Sequence, residues 1–184
     1  MKNNFLPKDF DIPVKSNGYM RLQEGDNKFR IFSQAITGWE YWTEEKDSDT
    51  GEMRRKPNRK RTDEEVPLQE RYEMKFFMAF TVWNYQLNAT EILQITQKGI
   101  QTALRSLNRS DSWGDPRDYD IVIHRKGKGL ETEYTVQPEP KAGFEHKDKI
   151  NKDIVLEALY EGADPFDYKA RDIDAEAAEE ILGK

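Results

Sequence analysis

Arg71-Tyr-Glu-Met-Lys-Phe-Phe-Met-Ala-Phe-Thr-Val-Trp-Asn-Tyr85 is the longest stretch of the chain in which both registers of a β-strand carry information. Side chains alternate across a strand, so Tyr72, Met74, Phe76, Met78, Phe80 and Val82 share one face, apolar enough to belong to a core. The other register, Arg71, Glu73, Lys75, Phe77, Ala79, Thr81, Trp83 and Tyr85, mixes cationic residues with aromatic rings. A purely solvated face would carry no such rings, so this face is expected to meet a ligand.

Upstream, Tyr19-Met-Arg-Leu-Gln, Lys28-Phe-Arg-Ile-Phe32 and Gly38-Trp-Glu-Tyr-Trp-Thr43 read as extended segments of one interrupted strand, with Trp39 and Tyr41 on one face and Trp42 on the other. Residues 44 to 70 are almost wholly charged or turn-forming and are expected to form a long mobile loop, the usual fate of such an insertion. Its basic cluster is Arg54, Arg55, Lys56, Arg59, Lys60 and Arg61. Downstream, Thr90-Glu-Ile-Leu-Gln-Ile-Thr96 pairs with the opening stretch as a hairpin. Ile100, Ala103, Leu104 and Leu107 then switch to helical spacing behind an expected Thr96 cap. Trp113, beside Gly114 and Pro116, reads as a loop anchor. Tyr119 to Arg125 and Leu130 to Gln137 make a closing hairpin around Lys126-Gly-Lys-Gly129, and a helix is expected over residues 148 to 161.

The 184 residues suit one main domain, expected over residues 18 to 141, with an arm at 1 to 17 and a helical, acidic extension at 142 to 184. No apolar run approaches the roughly 20 residues that span a bilayer. The first residues lack signal-peptide order, so no membrane partner and an intracellular location are expected. The chain has no cysteine, which removes disulfides, thiolate catalysis and thiolate zinc sites. The net charge of −6 is unevenly spread: residues 153 to 184 hold ten acidic and three basic residues, leaving 26 basic and 25 acidic before them. An acidic end on a neutral to slightly basic body suits partner docking or competition with a polyanion.

An interrupted first strand, a hairpin, a helix and a second hairpin make the plan of a five-stranded OB-fold barrel, mainly β, with a helix between strands three and four. The binding face of that barrel involves its middle strands and two flanking loops. Here these are the aromatic-cationic strand, the Arg54 to Arg61 loop and the Lys126-Gly-Lys128 turn. Single-strand binders combine stacking rings with a cationic groove. The expected stacking residues are Trp39, Tyr41, Trp42, Phe77, Trp83 and Tyr85. Phosphate contacts are expected from the basic loop cluster and from Lys75, Arg125, Lys126 and Lys128.

Lys28-Phe-Arg-Ile, Gly38-Trp-Glu-Tyr-Trp, Lys75-Phe-Phe-Met-Ala-Phe-Thr-Val-Trp-Asn-Tyr, Ile95-Thr-Gln-Lys, Trp113-Gly-Asp-Pro, Tyr119-Asp-Ile and Glu131-Thr-Glu-Tyr-Thr-Val occur in this order. Together they resemble the core of phage-encoded single-stranded DNA-binding proteins over about residues 18 to 141. The resemblance implies an OB fold and sequence-tolerant binding of single strands in phage replication, recombination and repair, inside a bacterial host cytoplasm. It also implies an acidic C-terminus that recruits replication or recombination proteins. The Cys/His zinc site of the T-even helix-destabilising type does not carry over to a chain without cysteine. Residues 1 to 15 are only mildly basic, unlike that family's N-terminal arm. A monomer, a homodimer and weak self-association all remain open.

Two other classes compete. One is a protein-interaction module acting through its acidic end. The other is a metal-dependent nuclease, prompted by Glu73-Met-Lys75 and by Asp118, Asp120, Glu131 and Glu133 at alternate strand positions. No proline-aspartate partner precedes Glu73 at plausible distance, and His124 and His146 show no ligand spacing. Neither an enzyme nor a cofactor or metal site is therefore expected.

Overall fold

The structure is a computed structural model that describes residues 16–168. The expected arm's first fifteen residues and the Ala/Glu-rich end from residue 169 lie outside the described residues. Seven antiparallel strands form one sheet: β1 (Gly25–Ile31), β2 (Ile36–Lys46), β3 (Met53–Lys60), β4 (Lys75–Asn84), β5 (Ala89–Ile95), β6 (Asp120–Lys126) and β7 (Glu133–Pro138). Their order is β3-β2-β4-β1-β6-β7, with β5 on the other edge of β4. Helix α1 (Lys98–Asn108) leaves β5 and packs against β7. No ladder joins β5 to β7 among the described residues, so the sheet is open there.

β4 is the hub, because three strands pair with it. β2 runs along its first half, from Glu40 opposite Lys75 to Ile36 opposite Ala79, and β1 along its second, from Ile31 opposite Val82 to Phe29 opposite Asn84. β1 and β2 are thus two parts of the interrupted first strand. Five positions separate Ile31 from Ile36, while three separate their partners Val82 and Ala79. The surplus bulges out, held where Phe32 N donates to Thr81 O and Thr81 N donates to Ser33 Oγ.

Six of the seven strands lie where the alternation places them. The seventh, β3, overturns the expected mobile loop at 44 to 70. It escapes a pattern search because neither of its faces is apolar. Its pairing rests instead on opposite charges across the ladder, with Glu45 facing Arg54, Glu44 facing Arg55 and Glu40 facing Arg59. The Asp47 carboxylate accepts from the backbone N–H of Asp49 and Thr50 and closes the turn. At the hairpin base a Cβ on Gly38 would sit 2.1 Å from Lys60 O, so only glycine allows this approach.

Two clusters share the apolar residues. The inner one joins Phe29, Ile31, Phe80, Val82, Leu93, Ile95, Ile121 and Ile123 to Ile100 and Leu104 of α1. Trp113 packs at its margin, its ring 5.3 Å from that of Tyr119. Tyr72, expected in the core, is 94% exposed, since residues 71 to 73 form a turn and β4 begins only at Lys75; Phe76, also expected there, lies within β4 and is 39% exposed. The outer cluster joins Phe77, Ala79 and Ile92 to Leu156 and Leu159, with Ile154, Tyr160 and Phe166 at its margin.

The roof that carries these last residues is not the expected helix over 148 to 161. It holds short 3-10 turns at Lys147–Lys149 and Leu156–Glu161, the latter ended by Gly162 with φ +66°. Its backbone bonds go elsewhere: Asn151 N donates to Thr90 Oγ1 and Val155 N to Pro165 O. Gln97, not Thr96, stands at the N-cap of α1, and no side chain caps that end. Among the described residues no helix is long and apolar enough to cross a membrane.

If the roof is part of the fold, Leu159→Ala, which empties a site only 3% exposed, costs about 2–5 kcal/mol. Denaturant unfolding of the full chain measures this, and a loss below that range would mean a loosely docked segment.

Candidate nucleic-acid interface

The β2–β3 hairpin extends beyond the part of β2 that β4 pairs with, and its alternation sorts its side chains into two faces. One face sets Trp39 beside Lys60, Tyr41 beside Asn58 and Thr43 beside Lys56; the other sets Glu40 beside Arg59, Trp42 beside Pro57 and Lys46 beside Met53. Trp42 is 43% exposed, with the Arg55 guanidinium 5.5 Å above its ring. Its Nε1 donates to Glu40 Oε1, which fixes the indole edge and leaves a ring face available. On the other face Trp39 is half-buried and meets Phe76 edge-on, with ring centroids 5.4 Å apart. Phe76 was expected in the core. The roof lies on the opposite side of β4, and α1 reaches only the residue's backbone, where Gln101 donates to Phe76 O; its place opposite Trp39 in the ladder is the signal that would have found it.

The cations divide by what they already hold. Arg54 pairs with Asp47 at 3.0 Å and Lys56 with Glu45 at 3.4 Å, both in solvent, where such pairs hold weakly and can be exchanged. Arg55, Lys60 and Lys75 have no ion pair among the described residues, and Arg61 lies 4.3 Å from the centre of the Tyr160 ring. Arg59 is spent internally: it pairs with Glu40 at 3.2 Å and donates to Gln94 at 2.7 Å, and Gln94 donates in turn to Glu40.

The structure also removes several expected contacts. Phe77 is fully buried, Trp83 is 1% exposed and Tyr41 7%. The outer face of β4 is too apolar to stay wet, and residues 142 to 168 cover it. Trp83 stacks on His146 at 5.2 Å and meets Phe144 edge-on, while Phe77 lies under Arg59 and against Tyr160. Tyr85 is half-buried, donates to Asp120 Oδ1 at 2.9 Å and lies under the Lys28 ammonium. Asp120, one of the carboxylates that prompted the nuclease reading, also takes Arg30 at 2.6 Å and Lys28 at 3.3 Å. Arg125 donates to Leu22 O, and its Nε is buried without a partner. Lys126 and Lys128 are exposed, but Arg125 pairs with Gly25, so their turn lies at the opposite end of the β1–β2 path from the hairpin. The three features do not converge on one face.

Comparison with known proteins yields one similarity. Over 74 residues the chain is 38% identical to a protein of Escherichia phage T5 described as "Probable ssDNA-binding protein". The match covers 39% of this chain and 26% of the relative, so the chain spans only about a quarter of the length of that relative. No protein-family model and no solved structure matches the chain.

Two outcomes follow from the buried polar groups. Glu40→Gln strips the charge that compensates Arg59, side-chain exposures 6% and 13%, and should cost on the order of 3–5 kcal/mol in denaturant unfolding. Burial raises the phenol pKa of Tyr85 above its ordinary 10.0, and the Asp120 hydrogen bond raises it further; burial also raises Tyr19, Tyr119 and Tyr160. A raised folded-state pKa favours the fold fully below about pH 10, and the contribution is lost as pH climbs through the folded value. The melting temperature should therefore fall above pH 10, with a shallower fall in Tyr85→Phe.

Proposed function

We propose that this chain is a non-catalytic, sequence-tolerant single-stranded DNA-binding protein whose principal contact surface is the β2–β3 hairpin with Phe76 and Lys75. The observation that carries this reading is a set of accessible rings beside uncommitted cations: on one face of the hairpin Trp42 under Arg55, with Lys75 in the same register, and on the other the half-buried Trp39 and exposed Phe76 beside Lys60. Rings of this kind accept any base, each stack being worth about 1–3 kcal/mol, and the cations take phosphates without reading sequence. Similarity to the phage T5 protein supports the same ligand.

The strand order supports an OB-fold reading, with β1 and β2 as the broken first strand, β4 and β5 as the middle pair, α1 before the closing β6–β7 hairpin, and β3 as an addition within the first loop. On this reading the usual sheet face is roofed, and the strand of DNA runs along the hairpin. Exposed Lys126 and Lys128 serve longer strands at the far end of the sheet. The protein acts in the cytoplasm of an infected bacterium, in phage replication, recombination and repair, and its acidic C-terminal residues recruit partner proteins.

With Arg55, Lys60, Arg61 and Lys75 each neutralising a phosphate, log K for oligo-dT falls with log salt at about −0.7 per contact, or roughly −3 overall. Trp42→Ala should lose about 1–3 kcal/mol of binding. Trp83→Ala, by contrast, should lower the melting temperature while the folded fraction keeps its affinity. A salt-independent affinity, or a Trp83 variant that stays stable but binds weakly, would refute the hairpin site.

A further inference from the structure

Residues 61 to 74, between β3 and β4, have an ordered shape and an unusual surface. Thr62 donates from both its backbone N–H and its hydroxyl to Glu65 Oε1, and Val66 N donates to Asp63 O. Arg71 folds back, with Nε donating to Val66 O at 3.0 Å and Nη2 to Glu64 O at 2.9 Å. Val66 is 1% exposed and anchors the loop. Two successive turns follow, closed by Glu70 N to Pro67 O and by Glu73 N to Glu70 O. On this fixed frame Leu68 is 78% exposed and Tyr72 94%.

Single exposed apolar residues need no explanation. A pair four residues apart on a preorganised loop is different, because holding the shape lowers the entropy cost of docking, and tyrosine is a favoured anchor of interfaces. Asp63, Glu64, Glu65, Glu70 and Glu73 flank the pair along the chain, five acids against the two bases Arg61 and Arg71. This rim repels nucleic acid and anionic lipid. It fits a cationic protein surface with an apolar centre.

The described residues contain such a surface on one face of the β2–β3 hairpin, where exposed Met53 and Trp42 stand with Lys46 and Arg55 against the single uncompensated acid Glu44. We infer that the 61–74 loop of one molecule docks on the β2–β3 hairpin of a second copy of this chain. The loop follows directly on β3, so the two complementary patches are neighbours. A two-fold dimer therefore makes both loop-to-hairpin contacts at once, the closed arrangement that like copies favour. Rim charges make the association salt-sensitive. The competition described next rests on the hairpin as the DNA site; the dimer does not. Where both hold, single-stranded DNA and the second copy exclude each other, and the dimer is the DNA-free form.

Sedimentation equilibrium of the full chain tests this. Wild type should dimerise at low salt and dissociate at high salt. The Leu68→Ser/Tyr72→Ser variant, altered only at exposed positions, should associate about tenfold or more weakly, as loss of an interface anchor requires. Met53→Asp should weaken association likewise, and excess oligo-dT should convert wild-type dimer to DNA-bound monomer. A wild type that stays monomeric while binding oligo-dT overturns the dimer and leaves the DNA reading intact. A salt-sensitive dimer weakened by the loop substitutions, in a protein that binds no oligo-dT, overturns the DNA reading alone. A dimer indifferent to the loop substitutions, or one that persists with DNA bound to both hairpins, overturns the docking.

Discussion

The structure depends on one constraint: β4 is apolar on both sides and must be buried on both. Phe80 and Val82 face one cluster, Phe77, Ala79 and Trp83 the other side, and all five are at most 2% exposed. Fully burying a large apolar side chain contributes about 1.5–3 kcal/mol, so leaving the outer face wet would forfeit several such increments. Hence the chain supplies a second layer. Residues 142 to 168 need no regular helix to do this, because what they provide is apolar side chains rather than backbone pairing.

That second layer decides where a ligand can go. It occupies the outer face of β4 and β5 and reaches the base of the hairpin, where Tyr160 donates to Thr37 O and lies under Arg61, but it leaves Trp42 and the first residues of β4 exposed. Lys75, Phe76, Trp39 and Trp42 lie on that uncovered side of the boundary. Buried charge obeys similar logic. Arg30, Lys28, Tyr85 and Glu139 gather around or beside Asp120, joining β1 to β6 and to the segment after β7. A cation that compensates a buried carboxylate is lost to a phosphate, so counting basic residues overstates the charge on offer.

Much of this was legible in the sequence, and the failures have physical reasons. Period-two alternation found β4, β5, β6 and β7 and the inner-core residues Phe80 and Val82. The 3.6 period found α1. The same alternation misjudged Phe77 and Trp83, because it reports which residues share a face and not what covers it. Lys75 shares their register, but it stands at the uncovered end of the strand, so its charge said nothing about Trp83 eight residues on. β3 was hidden because its own residues pair by charge across the ladder and leave no apolar period in it. The segment over residues 148 to 161 was read as a helix because its apolar residues are spaced like one, whereas Leu156, Leu159 and Tyr160 lie in a 3-10 turn and Ile154 precedes it. Of the rings and bases expected as contacts, Trp42, Arg54, Arg55, Lys56 and Arg61 are exposed, whereas Arg59 is held by Glu40 across the ladder.

The central claim is that single-stranded DNA meets the hairpin and not the covered face of β4. Photo-cross-linking with oligonucleotides carrying bromodeoxyuridine, followed by mass-spectrometric mapping of the adducts, tests it most directly. The account predicts adducts on Trp42 and on the Trp39–Phe76 pair, with none on the covered rings. Adducts on Phe77, Trp83 or Tyr85 would contradict it, because they would require residues 142 to 168 to leave the sheet when DNA binds.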